Sequence, residues 1–213
     1  MGRRALPKVD LEMDLSSHLL TVETIPVPWN PTELFGRDAP LEIEVGSGKG
    51  LFLQNAASTQ AEHNFLGVEV SFKYARFTAA RLAKRQICNA IAVYGDGLRL
   101  FRELVPDNSL EAVHVYFPDP WWKHRHRRRR VLNEAFLTDV VRTLRPHSRL
   151  HFWTDVEEYF DSTIKLIAAR TPLVGPLEVP EQPAEHSFDY RTHFERRTRL
   201  NEEPVYRAQF EKV

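Results

Sequence analysis

The chain is short of cysteine, of long apolar runs and of net charge, and each shortage excludes a class of protein. A single Cys88 rules out a disulfide framework within the chain and any zinc site built from several cysteines, and it agrees with a reducing compartment. No run reaches the roughly eighteen apolar residues of a membrane span. Met1 to Asp10 are basic but lack the apolar core of an export signal, so a cytoplasmic location is expected. The 29 basic side chains balance 29 acidic ones, which on its face argues against a polyanionic partner. What remains is ordinary: 213 residues, 42% hydrophobic and 27% charged, suit one globular domain with a sizeable core.

The neutral total conceals an asymmetry. From Lys123 to Arg130 the chain reads Lys-His-Arg-His-Arg-Arg-Arg-Arg, six cations and no acid, which leaves 23 basic against 29 acidic residues elsewhere. So dense a cluster repels itself unless solvent, counterions or a polyanion relieve it. A solvated loop or helix face and a nucleic-acid contact are equally open from charge alone.

Five prolines (Pro7, Pro26, Pro28, Pro31, Pro40) with Trp29 and Phe35 among them mark the first forty residues as an extended arm with aromatic anchors and little regular structure. From Leu41 short β-rich runs alternate with stretches of helical period. Strands are expected over Leu41 to Val45, Phe65 to Val70, Ile91 to Tyr94, Ala112 to Phe117 and Leu150 to Thr154. Helices are expected over Gly50 to Ser58, Ser71 to Gln86, Leu98 to Leu104, Asn133 to Leu144 and Val156 to Arg170. One helical face would carry Phe136, Leu137, Val140, Val141 and Leu144, another Phe72, Ala75, Ala79, Leu82 and Ala83. Such alternation predicts an α/β fold with a mostly parallel sheet and helices on both faces. Beyond a proline-punctuated stretch after Arg170, Val205 to Glu211 reads as an antiparallel edge strand.

Ligands of such sheets sit beyond the carboxyl ends of the strands. The first strand is followed by Gly46-Ser47-Gly48-Lys49-Gly50, a turn that lets a ligand approach the backbone, yet with neither the dinucleotide spacing nor a Walker G-K-[ST]. Acids recur at the strand ends: Glu44, Glu69, Asp96, Asp119 and Asp155. Any one of them reads equally as a helix cap or turn residue, whereas five converging on one rim describe a site. It would repel a pyrophosphate and suit a ligand with cationic centres and ribose hydroxyls, such as S-adenosylmethionine. Glu69 lies 25 residues after Glu44, near the spacing of ribose-binding acids, and Asp96 could accept from an adenine amino group or hold a nearby amide. Asp119, between Pro118 and Pro120 and beside Trp121 and Trp122, looks like part of a base-binding site, although either Trp could equally be a packing anchor.

These residues resemble the tRNA (guanine-N7-)-methyltransferase family. The likeness is carried by Leu41 to Gly50, Phe65 to Glu69, Pro106 to Leu110, Phe117-Pro118-Asp119-Pro120-Trp121, Lys123 with Arg125-His126 and Arg128 to Arg130, Thr154-Asp155, and Thr192-His193-Phe194-Glu195. It spans about Phe35 to the C-terminus and implies a Rossmann-like class I methyltransferase domain over 35–213, preceded by a proline-rich arm over 1–34. It implies S-adenosylmethionine as cofactor, no required metal, and tRNA as partner, methylated at guanine N7 at position 46 of the variable loop. By the same resemblance Glu44, Gly46, Gly48, Glu69, Asp96 and Asp119 contact the cofactor, and Asp119 is the active-site acid. Lys123, Asp155, Thr192, His193, Phe194 and Glu195 contact the substrate, and Arg125, His126, Arg127, Arg128, Arg129 and Arg130 contact RNA. His193 stands where many members carry Lys, and Thr198 where Gly commonly follows the Glu-Arg pair. Asp155 and Glu195 are the acids expected to read the guanine N1 and N2 hydrogens. Two rivals remain at this level: a methyltransferase of the same fold acting on a protein or small molecule, and an RNA-binding module without turnover.

Overall fold

The computed structural model describes residues 6–10, 12–186 and 189–213. Met1 to Ala5 and Leu11, part of the expected arm, lie outside the described residues. Eight strands form one sheet: β1 (Leu19–Thr21), β2 (Leu41–Val45), β3 (Asn64–Glu69), β4 (Ala90–Tyr94), β5 (Leu110–Tyr116), β6 (Leu144–Thr154), β7 (Val174–Leu177) and β8 (Tyr206–Glu211). Their spatial order is β1-β4-β3-β2-β5-β6-β8-β7, with β1 to β6 parallel and the last two strands antiparallel. The helices are α1 (Pro31–Phe35), α2 (Leu51–Thr59), α3 (Phe72–Lys84), α4 (Gly97–Glu103), α5 (Glu134–Thr143), α6 (Glu157–Arg170) and α7 (His193–Leu200).

β2 to β5 are apolar and buried along nearly their whole length, as a parallel sheet covered on both faces requires, and the second half of β6, from Leu150, joins them while its first half reaches the surface. Phe136, Leu137 and Val140 of α5 enter the main core, where Phe136 meets Phe101 edge-on at 5.1 Å. Ala75, Ala79 and Leu82 of α3 are likewise buried. Phe72, assigned to that same face, is instead 51% exposed, because at the first helical position it lies over Tyr94 at 5.3 Å rather than in the core.

The first forty residues carry more order than their prolines suggest. Leu19–Thr21 extends the sheet beside β4, and Val22, Ile25 and Trp29 are buried in the main core. Asn30 caps α1 by accepting from the Thr32 amide at 3.0 Å, Pro31 fills the first turn, and Gly36 ends the helix in the left-handed region. At the other end β8 is antiparallel as expected, but β7 pairs outside it and forms the edge.

Gly50 opens α2 with φ of +65°, and a Cβ there would stand 2.3 Å from Thr78 Cγ2, which is fully buried. Gly50→Ala combines a left-handed backbone with a clash and should lower unfolding free energy by about 2 kcal/mol, read from the denaturant midpoint.

Candidate active site

The strand order reverses at β2: the chain runs outward through β3 and β4, then returns to start β5 and β6 on the other side. The crevice between β2 and β5 is therefore the topological switch point, where such sheets take ligands. Across the carboxyl rim the acids follow one another in the order Asp96, Glu69, Glu44, Asp119 and Asp155, one for each of β4, β3, β2, β5 and β6. The five predicted carboxylates thus share one edge, although their environments differ.

Glu44 is buried, and its Oε2 has no hydrogen-bond partner among the described residues. Burial and the neighbouring charge of Glu69 push its carboxyl up to about 8. Ser47 Oγ, two residues into the glycine turn, is also buried without a partner among the described residues. Gly46 holds φ of +83°, and a Cβ built on it meets nothing within 4 Å, so the turn faces open space beside two unsatisfied polar groups. Glu69 ties this turn down: its Oε2 accepts from the Gly48 amide at 2.8 Å and its Oε1 from the Ser71 amide at 2.9 Å. A carboxylate offers about four acceptor positions, so ribose hydroxyls can still be served. Asp96 caps α4 by accepting from the Leu98 amide at 2.9 Å, the backbone-holding alternative, and the residue is exposed. The buried unpartnered acid beside an open glycine turn fits the cationic end of S-adenosylmethionine.

Beneath the rim lies a polar network that motif reading misses. Glu42 accepts from His63 and His114 at 2.6 Å each, and His114 Nδ1 lies 2.9 Å from the Tyr116 hydroxyl. His114 also stacks on His151 at 4.6 Å, and burial pushes both imidazoles below their usual range. Its sequence signals are a second acid, Glu42, inside β2 and a histidine, His114, inside β5.

Asp119 is exposed on a turn flanked by two non-glycine residues in the left-handed region, Phe117 at φ +49° and Trp121 at φ +47°. Phe117 stacks on Phe194 at 5.1 Å, which brings the start of α7 to this turn. From the other side Arg81 bonds the Lys49 carbonyl at 2.8 Å, Gln54 at 2.6 Å and His193 Nε2 at 3.1 Å, so α7 also touches the glycine turn. Partial desolvation and the charges of Arg81, Lys49 and Arg196 push His193 down to about 4, leaving it neutral. Asp155 is half-buried, and desolvation raises its carboxyl above the usual range.

Two of the assigned residues are buried. Glu195 is 2% exposed; it accepts from the Arg191 amide at 2.7 Å and from Arg199 and Arg207 at 3.4 Å each, while Thr192 Oγ1 accepts from the Glu195 amide at 3.0 Å. These contacts brace the start of α7. Thr-x-x-Glu is a helix-start signature, so this role was readable. Arg130, counted among RNA contacts, is buried with its guanidinium bonded to Pro120 and Glu158. By contrast Lys123, Arg125, Arg127, Arg128 and Arg129 are exposed along a 3-10 helix, His124–Arg129, with Arg129 lying 5.0 Å from the Trp121 ring. Trp122 is 67% exposed and so is no core anchor.

The switch-point crevice, its glycine turn and its acid rim define a class I S-adenosylmethionine-dependent methyltransferase. Residues 38–208 match the family model described as "Putative methyltransferase". The chain is 50% identical over 218 residues to a Rhodopirellula baltica protein named tRNA (guanine-N(7)-)-methyltransferase, covering 100% of this chain and 80% of that protein. It is 33% identical over 186 residues to an Alcanivorax borkumensis protein of the same name, covering 86% and 77%. The chain belongs to the tRNA (guanine-N(7)-)-methyltransferase family. Among solved structures, a 30S ribosomal A1408 methyltransferase from an uncultured bacterium shares the fold at a TM-score of 0.56 and 16% identity, covering 86% of this chain and 92% of that one.

Proposed function

We propose that the chain transfers the methyl group of S-adenosylmethionine to N7 of a guanine in tRNA, at position 46 of the variable loop. The observation that carries this reading is the junction at Asp119 to Lys123, where an acid rim suited to a cationic cofactor meets an exposed basic strip suited to phosphates. When bound, S-adenosylmethionine supplies a methyl carbon activated by its sulfonium. Guanine N7 has an in-plane lone pair unprotonated at neutral pH, so the protein needs no base to make it nucleophilic. The chain's task is then alignment, exclusion of water and charge stabilisation.

In this reading Glu44 receives the cofactor's ammonium group, Glu69 its ribose hydroxyls and Asp96 its adenine, while Gly46 and Gly48 let it approach the backbone. Asp119 faces the positive charge as it leaves sulfur and appears on the purine. Asp155, raised toward its protonated form, stands on the guanine side with Lys123 and His193. Thr192 and Glu195 hold α7 in place, and Phe194 walls the crevice against Phe117. A base splayed from a folded loop reaches such a crevice at smaller cost than one in a duplex. Arg125, His126, Arg127, Arg128 and Arg129 hold phosphates and carry no sequence information.

The test is direct: incubate the protein with bulk tRNA and methyl-labelled S-adenosylmethionine, digest, and map the label. Label in 7-methylguanine is expected; label on a pyrimidine, on an exocyclic nitrogen or on nothing refutes the assignment. The strip has its own test. Replacing Arg125, Arg128 and Arg129 together by Ala should flatten the slope of log affinity against log salt by about 2 while turnover at saturating tRNA stays near wild type. An unchanged slope would remove the strip from the RNA interface.

A further inference from the structure

Arg130 is the last residue of the basic run, and unlike the other arginines of the run it is buried. Its side chain is 8% exposed, against 43% for Arg127 three residues earlier. Nε donates to the Pro120 carbonyl oxygen at 2.8 Å, Nη2 to Glu158 Oε2 at 2.6 Å, and Nη1 to Ser162 Oγ at 3.1 Å and Glu158 Oε1 at 3.4 Å. The guanidinium carbon lies 4.3 Å from the centroid of the Tyr159 ring. Four of the five N–H groups of this guanidinium are thereby committed inside the protein, and little is left for a phosphate.

What it holds is the backbone next to Asp119. The turn from Phe117 to Trp121 places a non-glycine residue at positive φ at each end, a conformation that persists only where the surroundings enforce it. On the β6 side the Phe117 amide donates to the Trp153 carbonyl at 2.7 Å. On the other side Arg130 grips the Pro120 carbonyl and anchors it to Glu158, Tyr159 and Ser162, neighbours on α6. Asp119 therefore sits between two fixed points while its own side chain stays exposed. Pro120 lacks an N–H, so its carbonyl is the polar handle the residue offers.

We propose that Arg130 is a positioning residue for methyl transfer: it fixes the Asp119 turn to α6 through the Pro120 carbonyl and makes no contact with RNA. The inference rests on the activity proposed above. Arg127 shares the Glu158 carboxylate at 3.2 Å with both partners well exposed, so a phosphate can draw Arg127 away without breaking the shorter Arg130–Glu158 pair at 2.6 Å.

The test compares Arg130→Lys, Arg130→Ala and Glu158→Gln with Arg128→Ala in the full chain. Lys keeps the charge but cannot serve Pro120, Glu158 and Ser162 together. Each Arg130 variant should lower kcat at saturating tRNA by about tenfold or more, as a displaced catalytic group does, with tRNA Kd and its salt slope at the wild-type values. Arg128→Ala should weaken tRNA binding and reduce the slope by about 0.7 to 0.9. A flattened slope with normal kcat in Arg130→Ala would overturn the proposal. Should Arg130→Ala fail to fold, Arg130→Lys and Glu158→Gln decide it, and wild-type kcat in both refutes it. Amide hydrogen exchange over 117–123 reads the turn whether or not tRNA is methylated: Arg130→Lys should exchange there about tenfold faster, and unchanged exchange also refutes the proposal. A wild-type chain that leaves tRNA unlabelled would count against the activity alone.

Discussion

Glu44→Gln should bind S-adenosylmethionine about a hundredfold more weakly and yet, without ligand, melt at a higher temperature than wild type above pH 8. The affinity loss follows from removing one partner of a buried charge pair, which costs about 2–5 kcal/mol. The stability gain follows from the unliganded protein, where the same carboxylate is buried with an oxygen unpartnered and pushed up to about 8 from an ordinary 4.5. A carboxyl raised in the folded state favours folding fully below its ordinary value, and that contribution is lost as pH rises through about 8. Wild type should therefore lose stability with rising pH across this window, and the Gln variant should lose less. Binding has the opposite sign: a cationic ligand needs the ionised form, so wild-type affinity should climb up to about tenfold per pH unit below 8 and then level. Calorimetric titration from pH 6 to 9 checks both. A Gln variant that binds as tightly as wild type would show that Glu44 faces no cation.

Asp119→Asn should reduce kcat by about two to three orders of magnitude, with tRNA affinity and its salt dependence unchanged. The substitution keeps size and hydrogen-bonding capacity while removing the negative charge that offsets the charge appearing on the purine, and loss of one such stabilising group costs about 2.7–4 kcal/mol of barrier. Single-turnover rates with saturating tRNA and cofactor separate this from a binding defect. Wild-type single-turnover rates with weakened cofactor binding would make Asp119 a cofactor ligand only.

The parallel core was legible because its strands are apolar, β-branched runs separated by helical periods, and the acid rim because topology places every strand-end residue on the same side. Register and compass were not. A run of six cations does not say which one turns inward; only the encounter with Pro120 and α6, 10 and 28 residues away, sets Arg130 apart from Arg129. Glu195 carries the same sequence weight as Asp155, yet two arginines and an amide enclose it, whereas Asp155 keeps an open side. At the N-terminus proline spacing masked a three-residue strand, whose place is fixed by burial of Val22, Ile25 and Trp29 rather than by local propensity. Arg81 of α3 and Gln54 of α2, which tie the glycine turn to its neighbours, carry no motif because they act on a backbone carbonyl and side chains far along the chain.

The two flanking strands have a consequence for behaviour at high concentration. β1 offers three residues at one margin of the sheet, and β7 offers four, two of them Gly175 and Pro176, at the other. Unpaired strand margins are templates for intermolecular pairing, and short, proline-interrupted ones are poor templates. The long apolar strands are all interior, so crowding gives another copy little backbone to zip onto, and the chain can stay dispersed despite a formal charge of +0.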